Sequence, residues 1–544
     1  MPDAGFASPL GVGAAAPFSM RRFALMAAVA FVAACSGDGP TSPVTPPVTP
    51  PVTPPVTPPV TPPSADPPAI SREFRGLWVA TVANIDWPTA TGLSPGTQLA
   101  EMRVILDRAQ ALRMNAVIVQ VRAAGDAIYR SSLEPWAKAL TGTQGGDPGW
   151  DPLEAWVSEA HQRGLELHAW FNPYRAGNLS DTSLLAATHL GRERPDLMRK
   201  AEGQLWFDPG EPEVQQATLD VVLDVITRYD VDAMHMDDYF YPYPQGSTPV
   251  FPDDASYDKY LAAGGAAMAR ADWRRQNVDL FIQRLYGEVH RIKPMVKVGI
   301  SPFGIWRPGS PPGITGLDAY SAIFADSKKW LENGWVDYFA PQLYWSLAST
   351  GQNFTSLLDW WISVNAKKRH LWPGLGAYRV ADGTSSAFAA SEITNQISVT
   401  RYRSGPNSGG GSGTILYNTT AVRQNRGGLA DALASTGYPG FTLVPSYSWL
   451  DATAPAAPTL TVTAQSAAIR AAWTPNGAES ARWWMVQWRN ATTWNARFVW
   501  GADRQVDLSF TGSADKADVV VLTALDAAWN ASPAVTWRAA AVSQ

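Results

Sequence analysis

Between residues 70 and 450, short apolar, β-rich runs alternate with stretches of helical periodicity, and this alternation constrains the fold more than any other feature of the chain. Eight runs stand out: 74-FRGLWVATV-82, 116-AVIVQVR-122, 166-ELHAWFNPY-174, 233-AMHMDDYF-240, 296-VKVGISPFG-304, 337-DYFAPQLYW-345, 371-LWPGLGAYR-379 and 413-GTILYNT-419. Helix-patterned segments separate them, among them 97-TQLAEMRVILDRAQALR-113, 152-PLEAWVSEAHQR-163, 213-EVQQATLDVVLDVITRY-229 and 274-RRQNVDLFIQRLYGEVHRI-292. In 213–229, Val214, Ala217, Val221, Val225 and Ile226 recur at helical spacing and predict one buried face. Strand–helix alternation implies a parallel sheet, and eight units predict an α/β fold closed into a (β/α)8 TIM barrel over 70–450.

In such barrels chemistry sits at the C-terminal ends of the strands. Run one ends in Asn84, Asp86 and Trp87, run two in Gln120, Arg122 and Asp126, and run three in His168, Trp170, Asn172, Tyr174 and Arg175. Run four ends in His235, Asp237, Asp238 and Tyr239, run five in Ser301, Phe303 and Trp306. Gln342, Tyr344 and Trp345 close run six; Tyr378 and Arg379 close run seven. Carboxylates, amides, imidazoles, guanidinium groups and many rings, without a cofactor motif, make the lining expected for a sugar.

Composition excludes several other classes. The net charge is −5 and no long basic run occurs, so nucleic acid has no electrostatic footprint. One cysteine, Cys35, forbids an intrachain disulfide and a thiolate metal cage, and the six histidines form no HExxH-type pair, so no metal or cofactor is expected. The 24 tryptophans suit stacking on sugar faces as well as core packing.

The ends of the chain differ from its middle. In 20-MRRFALMAAVAFVAAC-35, two arginines precede an apolar run too short to span a bilayer. Residues 1–35 resemble a bacterial lipoprotein signal with Val32–Cys35 as lipobox, which implies lipidation at Cys35 and an envelope location facing the periplasm or the exterior. Within 36–69, VTPP repeats five times from Val44 to Pro63, a polyproline-II spacer reaching roughly 60 Å at about 3.1 Å per residue. Beyond 452-ATAPAAPTL-460 the pattern turns to strands without helices: 459-TLTVTA-464, 468-AIRAAW-473, 483-WWMVQW-488 and 518-DVVVLTAL-525. A small β-sandwich over 455–544, resembling a fibronectin type III-like module, is expected, with a spacer or glycan-binding role.

The segments 72-REFRGLWVATVANIDWP-88, 118-IVQVRAAGDAIY-129, 168-HAWFNPYR-175, 230-DVDAMHMDDYFYPYP-244, 299-GISPFGIW-306 and 337-DYFAPQLYW-345 resemble the glycosyl-hydrolase-like 10 family of bacterial barrels. The resemblance implies a glycoside hydrolase; members of the family include enzymes that cut peptidoglycan glycan strands stripped of stem peptides. A lipid anchor and a long spacer suit an envelope polysaccharide.

Glycoside hydrolysis ordinarily uses two carboxyl groups. Asp237 is the first candidate, because strand alternation points His235, Asp237 and Tyr239 one way and Met234, Met236 and Asp238 the other. The stretch 231-VDAMHMD-237 also resembles the fourth strand of alpha-amylase-type barrels, which places a nucleophile at Asp237, although His235 stands where that family has arginine. Runs five to seven end without Asp or Glu, which leaves Asp86, Asp126, Asp208 and Asp238 as partners; Asp208, in 206-WFDPG-210, suits a structural turn. A third route uses the adjacency of Asp237 and Asp238: an N-acetyl group of the sugar acts as nucleophile while the two aspartates divide the roles of acid and orienting carboxylate. Gln120, Arg122, His168, Asn172, His235, Tyr239, Gln342 and Tyr344 are candidates for hydrogen bonds to the substrate, and Trp87, Trp306 and Trp345 for stacking. The missing acids on runs five to seven also suggest an alternative, a catalytically silent glycan-binding barrel.

Overall fold

In the computed structural model of the chain, described over residues 66–177, 181–246, 251–404, 412–512 and 515–540, the apolar runs become one parallel sheet. The signal segment with Cys35 and the VTPP repeats lie outside the described residues. The strands are β1 (Phe74–Val79), β2 (Ala116–Arg122), β3 (Glu166–Phe171), β4 (Ala233–Met236), β5 (Lys297–Ile300), β6 (Tyr338–Phe339), β7 (His370–Leu371), β8 (Gly374–Gly376) and β9 (Gly413–Tyr417). They bond in the order β7-β6-β5-β4-β3-β2-β1-β9-β8, every pair parallel. The outer members, β7 and β8, are pieces of one expected run separated by Trp372 and Pro373. Pro373 has no N–H to continue a ladder, so the run breaks there. Its first piece stays with β6 and its second with β9, and the sheet curls until its edges meet in one stretch of chain, in the manner of a TIM barrel.

Helices cover the outside. Helix α1 (Pro95–Ala111) starts where Ser94 accepts from the Thr97 N–H, and α2 (Pro152–Gln162) where Asp151 accepts from Leu153 and Glu154; both carry proline in the first turn. In α3 (Pro212–Arg228), Val214, Val221, Val225 and Ile226 are buried as their spacing predicts, with Ala217 half-buried. Helix α4 (Arg270–Ile292) packs Val278, Phe281, Ile282 and Leu285 inward. Sequence periodicity did not reveal an antiparallel insertion between β3 and α3, formed by Arg175–Gly177, Met198–Ala201 and Gln204–Phe207.

The barrel interior is filled by rings. Phe74 stacks on Trp372 with centroids 3.8 Å apart, and Tyr338 lies 5.0 Å from Trp372. Such bulk is admitted because glycine stands opposite it: a Cβ on Gly299, the register partner of Tyr338, would fall 1.9 Å from the tyrosine ring.

After residue 455 the chain forms two antiparallel sheets, one of Thr459–Ala464, Ala468–Thr474 and Gln505–Ser509, the other of Trp483–Asn490, Thr493–Trp500, Ala517–Leu525 and Val535–Arg538. Trp473, Trp484, Val486, Val520 and Leu522 fill the space between them. The change of composition near 452 is not a break in packing: Trp483, Leu525 and Trp529 join the same apolar cluster as Trp78, Trp170 and Trp372 inside the barrel. The sandwich meets the N-terminal ends of the strands, where the Trp529 indole donates to Glu166 at 2.7 Å and Arg482 pairs with Asp232 at 2.7 Å.

Candidate active site

Strand β4 sets the site by its pleat. Met234 and Met236 are buried against the helical layer, so His235 and then Asp237 turn inward. His235 takes an N–H from Trp78 at Nε2 (3.2 Å), which places its own proton on Nδ1, facing the Tyr338 hydroxyl at 2.9 Å. That hydroxyl is also 2.9 Å from His168 Nδ1, and His168 Nε2 lies 3.0 Å from Glu166. This column of hydrogen bonds fills the barrel axis, and burial holds His235 far below the ordinary imidazole range, hence neutral.

Above the column, Asp237 is held by donors. Asn172 Nδ2 reaches both of its oxygens (2.9 and 2.7 Å), the Trp170 indole donates at 3.1 Å and the Tyr239 N–H at 3.3 Å. Asn172 is aimed in turn by Gln120, whose amide donates to it while accepting from the N–H groups of Thr81 (2.9 Å) and Val82 (2.8 Å). Strict alternation would send Asp238 outward. The chain leaves the ladder after Met236, however, and Asp238 turns back into the protein, where it accepts from the Tyr243 hydroxyl and the Gln342 amide. The charge of Arg175 acts on both carboxyls, and both act on the Tyr239 and Tyr344 hydroxyls, so the two aspartates share these neighbours.

Burial, then the neighbouring Asp238, pushes the Asp237 carboxyl up to about 7, and burial raises Asp238 as well. The two carboxyls are therefore linked in their titration, and Asp237 keeps its proton much closer to neutral pH than an ordinary carboxylate does. Half-buried rings surround it. Tyr239, Tyr243, Phe303 and Trp345 follow one another edge to face at 5.4, 6.0 and 5.6 Å, and Tyr344 stacks on Tyr417 at 5.9 Å. An acid pair of raised pKa, ringed by flat aromatic faces, can protonate a glycosidic oxygen while holding a sugar.

Residues 73–389 match the family described as Glycosyl hydrolase-like 10. The chain belongs to this family. Glycosyl hydrolase YngK of Bacillus subtilis strain 168 is 39% identical over 72% of this chain and 76% of its own length. Glycosyl hydrolase DigH of Escherichia coli K12 is 35% identical over 67% of this chain and 84% of its own. Among solved structures, the PgaB (BpsB) glycoside hydrolase domain from Bordetella bronchiseptica aligns with a TM-score of 0.42 at 14% identity, over 67% of this chain and 99% of that one. The catalytic domain of a β-amylase from Paenibacillus polymyxa aligns at 0.44 and 12% identity, over 68% and 100%. The chain is an enzyme of the glycoside hydrolase class.

Within this glycosyl hydrolase-like 10 barrel, several residues expected at the sugar occupy other posts. Asp86 is fully buried, with oxygens taken by the Ala80 N–H (2.9 Å) and by the Thr420 N–H (2.9 Å) and hydroxyl (2.7 Å). It ties the loop after β1 to the segment after β9, and burial raises it to about 6. Asp126 is likewise enclosed, between the Ala124 N–H (3.2 Å) and the Gln144 amide (3.0 Å), and burial raises its carboxyl. Asp208 accepts from Ser256 (2.6 Å) and Gly210 (2.8 Å) and pairs with Arg199, the structural turn expected of it.

Six of the binding candidates have their polar groups engaged by other residues of the protein. Gln120 and Asn172 are buried positioning residues for Asp237, and His168 and His235 belong to the axial column. Arg122 spends its guanidinium on Glu134 (2.6 Å) and on the carbonyls of Asn172 (2.6 Å) and Pro173 (2.8 Å). Trp87 is a core ring, edge-on to Trp156 at 5.4 Å with its N–H on the Gln98 carbonyl. Tyr239, Gln342, Tyr344 and Trp345 do meet around the acid pair. Trp306 stacks on Trp360 at 5.8 Å, half-buried, with its N–H on Asp326. Trp78, Tyr243 and Glu134 were not singled out for the site, and Trp170, named at the end of run three, was given no role of its own; the period-two pattern puts it on one face with His168 and Asn172. Among the described residues one carboxylate trio, Asp451, Glu479 and Asp526, brings oxygens within 4.8 Å of one another, and Asn530 bonds both Asp451 and Asp526 there.

Proposed function

We propose that this enzyme hydrolyses bacterial envelope polysaccharide, specifically peptidoglycan glycan strands free of stem peptides, by substrate-assisted chemistry at Asp237 and Asp238. The observation that carries the reading is the adjacency of these two buried carboxyls among half-buried rings, whereas Asp86, Asp126 and Asp208 tie loops and turns together. No separate protein nucleophile is then required. One carboxyl gives its proton to the glycosidic oxygen as the C1–O bond breaks. The carbonyl oxygen of the sugar's acetamide bonds to C1, and the other carboxylate accepts the acetamide N–H and balances the positive charge that develops there. Water then adds at C1, giving up a proton to the first carboxylate, and the acetamide is restored.

We further read Cys35 as a lipidated residue that anchors the enzyme in the envelope, with the VTPP spacer carrying the barrel away from the membrane. The barrel is read as a (β/α)8 unit, and the C-terminal sandwich as fibronectin type III-like, on its three-plus-four arrangement of antiparallel strands. Mass spectrometry of the mature N-terminus would give a diacylglyceryl-modified Cys35; an unmodified cysteine would overturn the anchor.

The substrate reading is tested by incubating the purified chain with peptide-free glycan strands, with intact peptidoglycan and with an unacetylated glucan. Oligosaccharides with new reducing ends are expected from the peptide-free strands alone. Binding without release would overturn the hydrolytic reading in favour of a glycan-binding barrel, and release from the unacetylated glucan would overturn the substrate-assisted mechanism.

A further inference from the structure

Arg175 follows β3 by four residues and enters the antiparallel insertion opposite Trp206. Its side chain is 8% exposed and its guanidinium carbon lies 4.7 Å over the Tyr239 ring. Among the described residues no hydrogen bond or ion pair engages it, and Nε is sealed from solvent without an acceptor. The neighbouring Arg122, equally buried, has Glu134 and two carbonyls as partners. Taking a guanidinium out of water is costly, and buried cations are paired as a rule. One left open beside an acid pair is a binding group awaiting its anion.

Arg175 also lies close enough to Asp237 and Asp238 for its charge to lower both, yet it forms an ion pair with neither, so its hydrogen-bonding edge is unspent beside the pair. The Tyr239 ring lies against the guanidinium carbon, and the N–H groups, without partners among the described residues, are left to act as a fork. A carboxylate is the group whose two oxygens match that fork.

We propose that Arg175 forms a carboxylate-recognising subsite beside the Asp237–Asp238 pair, which makes the enzyme prefer a sugar bearing a free carboxylate over the same sugar with that group amidated or esterified. The proposal rests on the glycan reading above. The lactyl group of N-acetylmuramic acid is a free carboxylate when the stem peptide is absent and an amide when it is attached. Amidation removes both the charge and one of the two acceptor oxygens, so Arg175 would read the loss of the peptide.

The test uses the full chain with N-acetylmuramic acid and its methyl ester as calorimetric probes, alongside cleavage of peptide-free strands and of the same strands coupled to methylamine. The acid should bind the wild type about 10-fold to 100-fold more tightly than the ester, the size of one charge-assisted contact. Arg175→Gln should bring the acid down to the ester's affinity, leave the ester within about 2-fold, and raise KM on free strands more than it lowers kcat; Arg175→Lys should restore part of the preference. Equal binding of acid and ester by the wild type, or an equal loss for both in Arg175→Gln, would overturn the subsite. The two readings fail separately: a carboxylate preference in binding with neither strand cleaved defeats the hydrolase reading alone, and equal cleavage of both strands defeats the subsite alone.

Discussion

The two ends of the barrel both bury carboxylates, and they treat them in opposite ways. At the floor, burial alone would raise Glu166, but the Lys297 ammonium at 2.7 Å and the His168 N–H outweigh it and bring its pKa below the ordinary value. Asp232 is driven well down by Arg482 and His161, again against burial. At the mouth, Asp237 and Asp238 have hydroxyl, amide and indole donors but no ion-pair partner, and both are raised. Neutralised charge locks the sandwich to the barrel. Uncompensated charge leaves a proton available for chemistry.

Substitutions at the two ends should therefore separate activity from stability. The largest effect is expected at the mouth: Asp237→Asn should lower kcat/KM on peptide-free strands about 10³-fold with the far-ultraviolet spectrum unchanged. Retained activity in that folded variant would remove Asp237 from the mechanism. At the floor, Glu166→Gln leaves Lys297 buried without its countercharge and should cost about 3 kcal/mol in denaturant unfolding at pH 7. Because the folded pKa of Glu166 is depressed, its contribution is present above the unfolded carboxylate pKa near 4 and is lost as the pH falls through the folded value. The gap between variant and wild type should accordingly close in acid, and a gap that persists there would mean that Glu166 acts through packing alone.

Asn172→Ala removes the amide that positions Asp237 and should reduce kcat about 30-fold, roughly 2 kcal/mol, with a smaller change in KM. An effect confined to KM would mean that Asn172 contacts the sugar instead. The smallest effect is on melting. The folded state keeps a proton on Asp237 that the unfolded chain releases, so stability falls as the pH rises from about 4 through about 7. Asp237→Asn should thus raise Tm by about 2 °C at pH 8 and leave it unchanged at pH 4. A lower Tm at pH 8 would place Asp237 among the stabilising carboxylates of the floor.

Much of the fold was legible in the sequence because strand and helix periods are local. The eight runs, the buried stripe of α3 and the inward turn of Asp237 all follow from spacing within one element. Depth along the barrel is not local: His168 stands two residues above the floor and Asn172 near the mouth, yet both belong to the same run. Which of them meets substrate depends on the register between strands, and so His168 and His235 were expected at the sugar. Asp238 escaped the alternation rule because its strand ends at Met236, a boundary that the apolar pattern runs past. Glu134, the partner of Arg122, lies 12 residues away, and Lys297 and Trp529, which bond Glu166, lie 131 and 363 residues away; such pairings carry no sequence period at all. Three strands of the sandwich were missed for a related reason, since edge segments such as Thr493–Trp500 are mostly half-buried and lack a clean apolar alternation.

The central claim is that burial and the neighbouring Asp238 hold the Asp237 titration near neutral pH at the mouth, whereas the floor carboxylates Glu166 and Asp232 are pulled below their ordinary range. Carbon-13 NMR of protein labelled at the aspartate carboxyls tests it directly, the Asp237 signal being identified by its loss in Asp237→Asn. A titration midpoint near pH 7 for Asp237, displaced downward when Asp238 is replaced by Asn, is the predicted result; a midpoint near pH 4 that ignores Asp238 would contradict the account.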